Sequence, residues 1–431
     1  MSTVLSPSGA GIEQPAGSGA TQQGGAGQSA AGGGRPGDPE QAERLLAFVR
    51  DMVPTLRARA AQAEELCRVP PETVQEFHDA GLFRMSIPVE YGGYALTPTQ
   101  QYAIFAEIAR GCASTAWFVW VTSGGTLTMT IYDRAFQDEA FRTPWVGPLN
   151  SGVANGAGPG VARRVEGGYM IKGRWPFCSG CHYTAFHHLG AICRDGDAPV
   201  SIVCMVPHDQ IAILDDWKVM GMRGSGSNTV VIEEEVFVPD NRVRTDFDIV
   251  MMSRLQPPRE GLLFKVNLLL FAGATMSAIA LGAARAAIEL FREKIRTRGI
   301  TNSNYPKQAE APITHIQLGE LHCKLLTAEL VARNILTRVE ALAEQDLPVD
   351  ELELTRTTLE KAYINTLSSE ITDLTLRASG ASSIHENSPF QRLFRDARIP
   401  SVHGQSTIET CLEHFGRASV GMHASDAVTR I

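Results

Sequence analysis

The sequence predicts an α+β chain in three blocks: an N-terminal all-α domain over residues 38–145, a central β-barrel or sandwich domain over 146–250, and a C-terminal four-helix bundle over 258–431. Three observations carry this. Apolar residues recur at helical spacing as far as about Phe141, the pattern turns to alternation near Trp145, and it is helical again after Pro257-Pro258. At 431 residues the chain also exceeds one ordinary core.

Residues 1–37 are Gly, Ala, Ser, Gln and Pro with almost no large apolar side chain, which leaves too little surface to bury against ordering entropy; a disordered tail is expected. It has no charged segment followed by an apolar core, so no secretory signal is expected. In the α domain, Ala42, Leu45, Leu46 and Val49 mark one helix. Pro70-Pro71 starts a second that Gly81 ends, and a third runs from Thr99 to Arg110. In the β domain, residues 161–174 read as a hairpin turning at Gly167-Gly168, followed by strands over His188–Cys193, Val200–Val206 and Thr229–Val238. Helices are expected over Leu262–Thr297, Ile313–Ala343, Glu351–Ser379 and Ser406–Phe415; short links between long helices imply an antiparallel bundle.

Composition narrows the function. A formal net charge of -8 argues against a nucleic-acid partner, and 44% apolar with 20% charged residues is ordinary for a soluble enzyme. Eight cysteines are too dilute for a disulfide scaffold, which favours a reducing cytoplasm. The apolar run Leu268–Ala284 is Gly/Ala-rich and flanked by Lys265 and Arg285, so it reads as a bundle-core helix and not a membrane span.

The stretch with most chemistry is Phe394–Gln405, FRDARIPSVHGQ. Pro400 is expected to stop a helix, leaving His403 beside Gly404 on a short loop with a pKa near neutrality. Taken alone, it also reads as a helix end with a surface ion pair and an incidental imidazole. Cys178-Ser179-Gly180-Cys181-His182 matches a haem-attachment pattern, which the expected compartment disfavours. Zinc held by Cys178, Cys181 and His187 or His188, or a redox thiol pair, are alternatives, but no second cysteine pair stands at finger spacing. No metal site is expected. Asn155–Gly160 lacks the spacing of a phosphate loop, and Glu233-Glu234-Glu235 would alternate faces on a strand, so neither suggests a site.

The block order and three motifs resemble the acyl-CoA dehydrogenase fold: LFRMSIPVEYGGY, then IKGRWPFCSGC with DDWKVMGMRGSGSNTVVIEEEVFVP, then FQRLFRDARIPSVHG. In the commonest dehydrogenases of that fold the Arg-Asp run leads to a glutamate base. Here the matching position is Gly404, which cannot take a proton. With His403 and Ser179-Gly180, the chain is instead similar to the reduced-flavin-dependent, two-component (group D) monooxygenases, such as dibenzothiophene monooxygenase and the oxygenase component of p-hydroxyphenylacetate hydroxylase.

That resemblance implies reduced FMN or FAD delivered by a separate flavin reductase, oxygen, and a flavin hydroperoxide that oxygenates a small aromatic or electron-rich molecule. It implies that Ser179 bonds near flavin N5, that His403 acts on the substrate or the peroxide, and that Trp175 and Trp217 wall the ring. It also implies a homotetramer in which Arg296 reaches a neighbour's cofactor phosphate. The match departs at STAWFVWVTSGG, where a further active-site histidine of dibenzothiophene monooxygenase has no counterpart; Trp117 and Trp120 are expected to shape an aromatic pocket there. Two other readings stay open: a flavin dehydrogenase with a different base, and an inactive scaffold of this fold.

Overall fold

The structure, a computed structural model, describes residues 4–5, 35–154, 160–196, 198–245 and 259–424. Most of the expected tail, the loop 155–159 and Pro257-Pro258 lie outside the described residues.

The N-terminal domain is helical: α1 (Pro39–Leu66), α2 (Pro71–Asp79), α3 (Pro98–Gly111), α4 (Ala113–Thr128) and α5 (Arg134–Phe141). Local chemistry sets the helix starts. Pro39, Pro71 and Pro98 occupy first-turn positions, where the missing N–H costs nothing, and Thr97 with Gln100 forms a reciprocal capping box. Helix α4 is buried on nearly every face.

Among the described residues, nine strands join in one mixed sheet: β1 (Val4–Leu5), β2 (Asn150–Ala154), β3 (Gly160–Val165), β4 (Gly168–Trp175), β5 (Phe186–Cys193), β6 (Val200–Pro207), β7 (Ala212–Leu214), β8 (Val230–Pro239) and β9 (Val243–Arg244). The pairing order is β1-β7-β8-β4-β3-β5-β6-β9, with β2 set against β5. The β3–β4 hairpin forms with its turn one residue earlier than expected. Gly168 already pairs with Val165, and the left-handed residue is Gly167 at φ 75°. The cause lies across the sheet: a Cβ on Gly168 would stand 2.2 Å from the Val238 carbonyl oxygen, so that glycine is fixed by strand packing.

The bundle comprises α6 (Leu268–Thr275), α7 (Ala278–Lys294), α8 (Pro312–Glu344), α9 (Glu351–Ala378), α10 (Pro389–Val402) and α11 (Ile408–Ser419). The apolar run expected as one helix is two, broken at Met276-Ser277, and 83% of its most apolar window is buried inside the fold. Gly282 lets α7 cross α3 closely, since a Cβ there would stand 2.3 Å from the Ala106 carbonyl oxygen. Pro400 does not end its helix. It lies inside α10, which runs to Val402 before His403 turns to extended geometry. The α domain and the bundle share one continuous apolar core, while the β domain has its own around Ile171, Trp175, Leu189 and Cys204.

Candidate active site where the three domains meet

The Arg-Asp run of α10 is no surface ion pair. Arg392 and Arg395 each bond Glu64 of α1 at 2.7 Å, and Arg395 also donates to the Met220 carbonyl. Asp396, 2% exposed, accepts the Met222 backbone N–H at 2.7 Å, and burial raises its pKa to about 6. Met222 itself sits at a left-handed φ of 56°. Bundle and α domain thus clamp the loop Met222–Asn228 from two sides.

That loop reaches Ser179. Ser225 Oγ lies 2.7 Å from Ser227 Oγ, which lies 2.6 Å from Ser179 Oγ, and Trp117 Nε1 donates to Ser179 Oγ at 3.1 Å. Gly180, at φ 80°, packs so tightly on α4 that a Cβ would stand 2.8 Å from Thr122 Cγ2. A serine carries one proton and accepts two. Trp117 donates to Ser179, and either hydroxyl of the Ser179–Ser227 pair can be the donor, so when Ser227 donates the Ser179 proton turns to a ligand.

The other side of the site is His403. Its ring lies 5.6 Å from the Trp117 ring, and Trp117 lies 5.2 Å from Trp120, whose indole N–H donates to Thr275 at 2.9 Å. The expected aromatic pair on α4 is therefore the joint between Ser179 and His403. The Gln405 N–H donates to His403 Nδ1 at 3.3 Å, so the neutral ring carries its proton on Nε2. Burial, then the nearby Lys361 ammonium, lowers the His403 pKa to about 4. This corrects the expectation of a group titrating near neutrality.

The remaining expected residues divide. Trp217 is half-buried, donates to the Met222 carbonyl at 3.2 Å and meets Phe177 edge-on at 5.9 Å. Phe177 is 66% exposed at a left-handed φ of 61°, a conformation strained for a bulky residue. Trp175 is 1% exposed inside the β core, donating to the Gly190 carbonyl at 2.7 Å with Gly160 against its ring. It packs the sheet and offers no free face to a flavin, which corrects that expectation. Arg296 is exposed beyond the end of α7 and is not brought to Ser179 or His403; no partner for it is found among the described residues.

Both cysteines are buried: Cys178 donates to the Trp175 carbonyl at 3.2 Å and Cys181 lies 3.5 Å from the Gly226 carbonyl. Burial pushes Cys178 up to about 12 and Cys181 well above its usual range, which keeps both thiols protonated and poor as ligands or nucleophiles. Replacing both by Ala is expected to leave flavin binding unchanged and to cost about 1 kcal/mol of stability per site. Titration of flavin fluorescence, thermal melts and metal analysis check this. Sequence reasoning missed Ser225, Ser227 and Phe177, although all three lie in motifs it singled out.

These residues fit a flavin: a hydroxyl on Ser179, an imidazole N–H on His403, an indole touching both, and the half-open Phe177–Trp217 pair. Comparison with known proteins agrees. Residues 39–152 match the acyl-CoA dehydrogenase N-terminal domain and residues 274–407 the acyl-CoA dehydrogenase C-terminal domain. The chain is 28% identical to the flavin-dependent monooxygenase oxygenase subunit HsaA of Rhodococcus jostii, covering 88% of this chain and 98% of that protein. It is 26% identical to the p-hydroxyphenylacetate 3-hydroxylase oxygenase component of Acinetobacter baumannii, covering 88% and 89%. Among solved structures, XiaF from Streptomyces in complex with FADH2 and glycerol superposes with a TM-score of 0.84 at 28% identity, covering 91% of this chain and 98% of that one. With both terminal domains matched and the fold shared, the chain belongs to the acyl-CoA dehydrogenase family.

Proposed function

We propose that the protein is the oxygenase component of a two-component flavin-dependent monooxygenase. It takes reduced FMN or FAD from a separate flavin reductase and places one oxygen atom of O2 on an aromatic or electron-rich small molecule. The observation that carries this is the hydroxyl chain Ser225–Ser227–Ser179 ending beside Trp117 and His403, where Gly404 occupies the place of a dehydrogenase base. Bound reduced flavin supplies the electrons and activates the oxygen.

The chain's own residues then do three things. Ser179 presents its hydroxyl to the flavin edge, held by the bond donated from Trp117 and by its contact with Ser227. His403 presents Nε2–H, and its lowered pKa keeps it neutral at physiological pH, so it acts as a hydrogen-bond donor and not as a resting cation. Trp117 and Trp120, both buried, limit water on the inner side of Ser179 and His403. Position 404 has open space around it, so a glutamate would fit; what is missing is the carboxylate, not the room.

The test is anaerobic titration with reduced and oxidised flavin, followed by mixing with oxygen and an aromatic substrate while product and hydrogen peroxide are measured. Tight binding of reduced flavin and coupled product are expected. Oxidation of an acyl-CoA with an artificial acceptor and no reductase would overturn the reading. Ser179→Ala removes one net hydrogen bond of about 0.5–1.5 kcal/mol, so two- to tenfold more peroxide per product is expected, with substrate affinity intact.

The assembly proposed is a cytoplasmic homotetramer in which Arg296 reaches a neighbour's cofactor. Supporting it are the unpartnered apolar side chains on the bundle surface, Ile313, Ile316, Leu326 and Leu330 of α8 and Leu412 of α11. Light scattering is expected to give four copies. A monomer that binds flavin tightly would contradict it.

A further inference from the structure

Helix α10 ends awkwardly. Its last carbonyls have no intrahelical partner, and Pro400 supplies no N–H to the turn before it. The donors come from α9. Ser369 Oγ donates to the Ala397 carbonyl at 3.1 Å, Asn365 Nδ2 reaches the Pro400 carbonyl at 3.5 Å, and Lys361 Nζ donates to the Gln405 carbonyl at 2.7 Å. The three are spaced four residues apart, so they line one face of α9. Lys361 is 2% exposed, and no carboxylate pairs with it among the described residues. Burying an unpaired ammonium is costly, and in this place the charge finds the negative end of α10 and one carbonyl.

We propose that Lys361 is a positioning residue for His403: by holding Gln405 at its carbonyl, it fixes the backbone whose N–H binds His403 Nδ1, and so sets the Nε2–H tautomer that the oxygenation needs. This rests on the reading of His403 given above. The charge acting on the imidazole comes from Lys361 on α9. The other titratable group facing Lys361 is Cys411 of α11, whose sulfur lies 3.9 Å from the same Gln405 oxygen, and α4 presents Trp117 to the ring. The consequence is that charge and tether are separable. An amide at 361 keeps a donor without charge, an arginine keeps both, and a methionine keeps neither.

The experiment is a pH titration of the His403 imidazole by NMR in isotope-labelled full-length protein, assigned with His403→Gln, in wild type and in Lys361→Met, Lys361→Gln and Lys361→Arg. This readout needs no turnover, so it stands even if the monooxygenase reading fails. Expected in Lys361→Met are a midpoint raised by about one pH unit and a mixed tautomer signal. Expected in Lys361→Gln are a raised midpoint with the Nε2–H signal kept, and in Lys361→Arg the wild-type pattern. Should the methionine variant not fold, the glutamine–arginine pair decides, because both carry an N–H donor and only arginine carries the charge. Titration curves and tautomers unchanged from wild type in the folded variants would overturn the proposal. In coupled turnover the glutamine variant is expected to lower kcat severalfold with KM unchanged, and arginine to restore it.

Discussion

Replacing His403 by Ala is expected to lower coupled product formation by about 10²–10³-fold while reduced-flavin binding stays within a few-fold of wild type, the missing turnover appearing as hydrogen peroxide. The size follows from removing a fixed donor aimed at developing charge. The pH dependence separates donor from base. In the folded protein the imidazole titrates at about 4, so wild-type activity is expected to be flat through neutrality and to fall only in acid, as the ring gains a proton toward that value. His403→Gln, which retains an N–H, should recover part of the loss and show no acid limb from this group. A product yield that rises through pH 6–7 in wild type and vanishes in both variants would instead mark His403 as a base with an ordinary pKa. A wild-type rate in His403→Ala would make it a mere helix end.

Much of this arrangement was legible in the sequence, for identifiable reasons. The change of apolar period near Trp145 is a local signal, and the helices Pro312–Glu344 and Glu351–Ala378 begin and end within one or two residues of where periodicity puts them. Ser179 and His403 were visible because each stands in a motif. What could not be read was long-range. Nothing local shows that Trp175 is enclosed by Gly160 from a neighbouring strand, or that Asp396 answers a backbone N–H 174 residues away. Proline at position 400 misled because one lost bond does not end a helix that packing holds, and side chains of another helix bind the Ala397 and Pro400 carbonyls at that end. The pKa of His403 was misjudged for the same reason: burial and Lys361 are properties of packing, not of sequence neighbours.

The protein is expected to lose stability in acid, in part through two adjacent histidines of β5, with His182 and His403, each lowered to about 4 by burial first, acting the same way. His187 and His188 are both 0% exposed. His188 sits between the Thr128 hydroxyl at 3.1 Å and the Tyr132 hydroxyl at 2.7 Å, and His187 stacks on His208 with their ring nitrogens 3.2 Å apart. Burial lowers His188 to about 3; burial, then His208, lowers His187 well below its ordinary value. Unfolded, each titrates near 6.5. Between that value and the folded one, the unfolded chain binds more protons, so stability is complete above about pH 6.5 and falls as pH drops. An imidazole contributes about 1.4 kcal/mol per pH unit in this window, hence on the order of 3 kcal/mol from His188 by about pH 4.5, with His187 acting in the same direction, against a typical total of about 5–15 kcal/mol. Asp396 works the other way. Its folded pKa of about 6 lies above the unfolded carboxylate value, so it adds stability as pH falls below 6 and offsets one imidazole in part. Denaturant melts from pH 7.5 to 4.5 are expected to show the decline, and His187→Phe, which keeps a ring stacked on His208 but cannot take a proton, should flatten the slope by one imidazole. Melts independent of pH over this range would mean that the two rings reach water in the folded protein, and that both faces of β5 are more open than their packing implies.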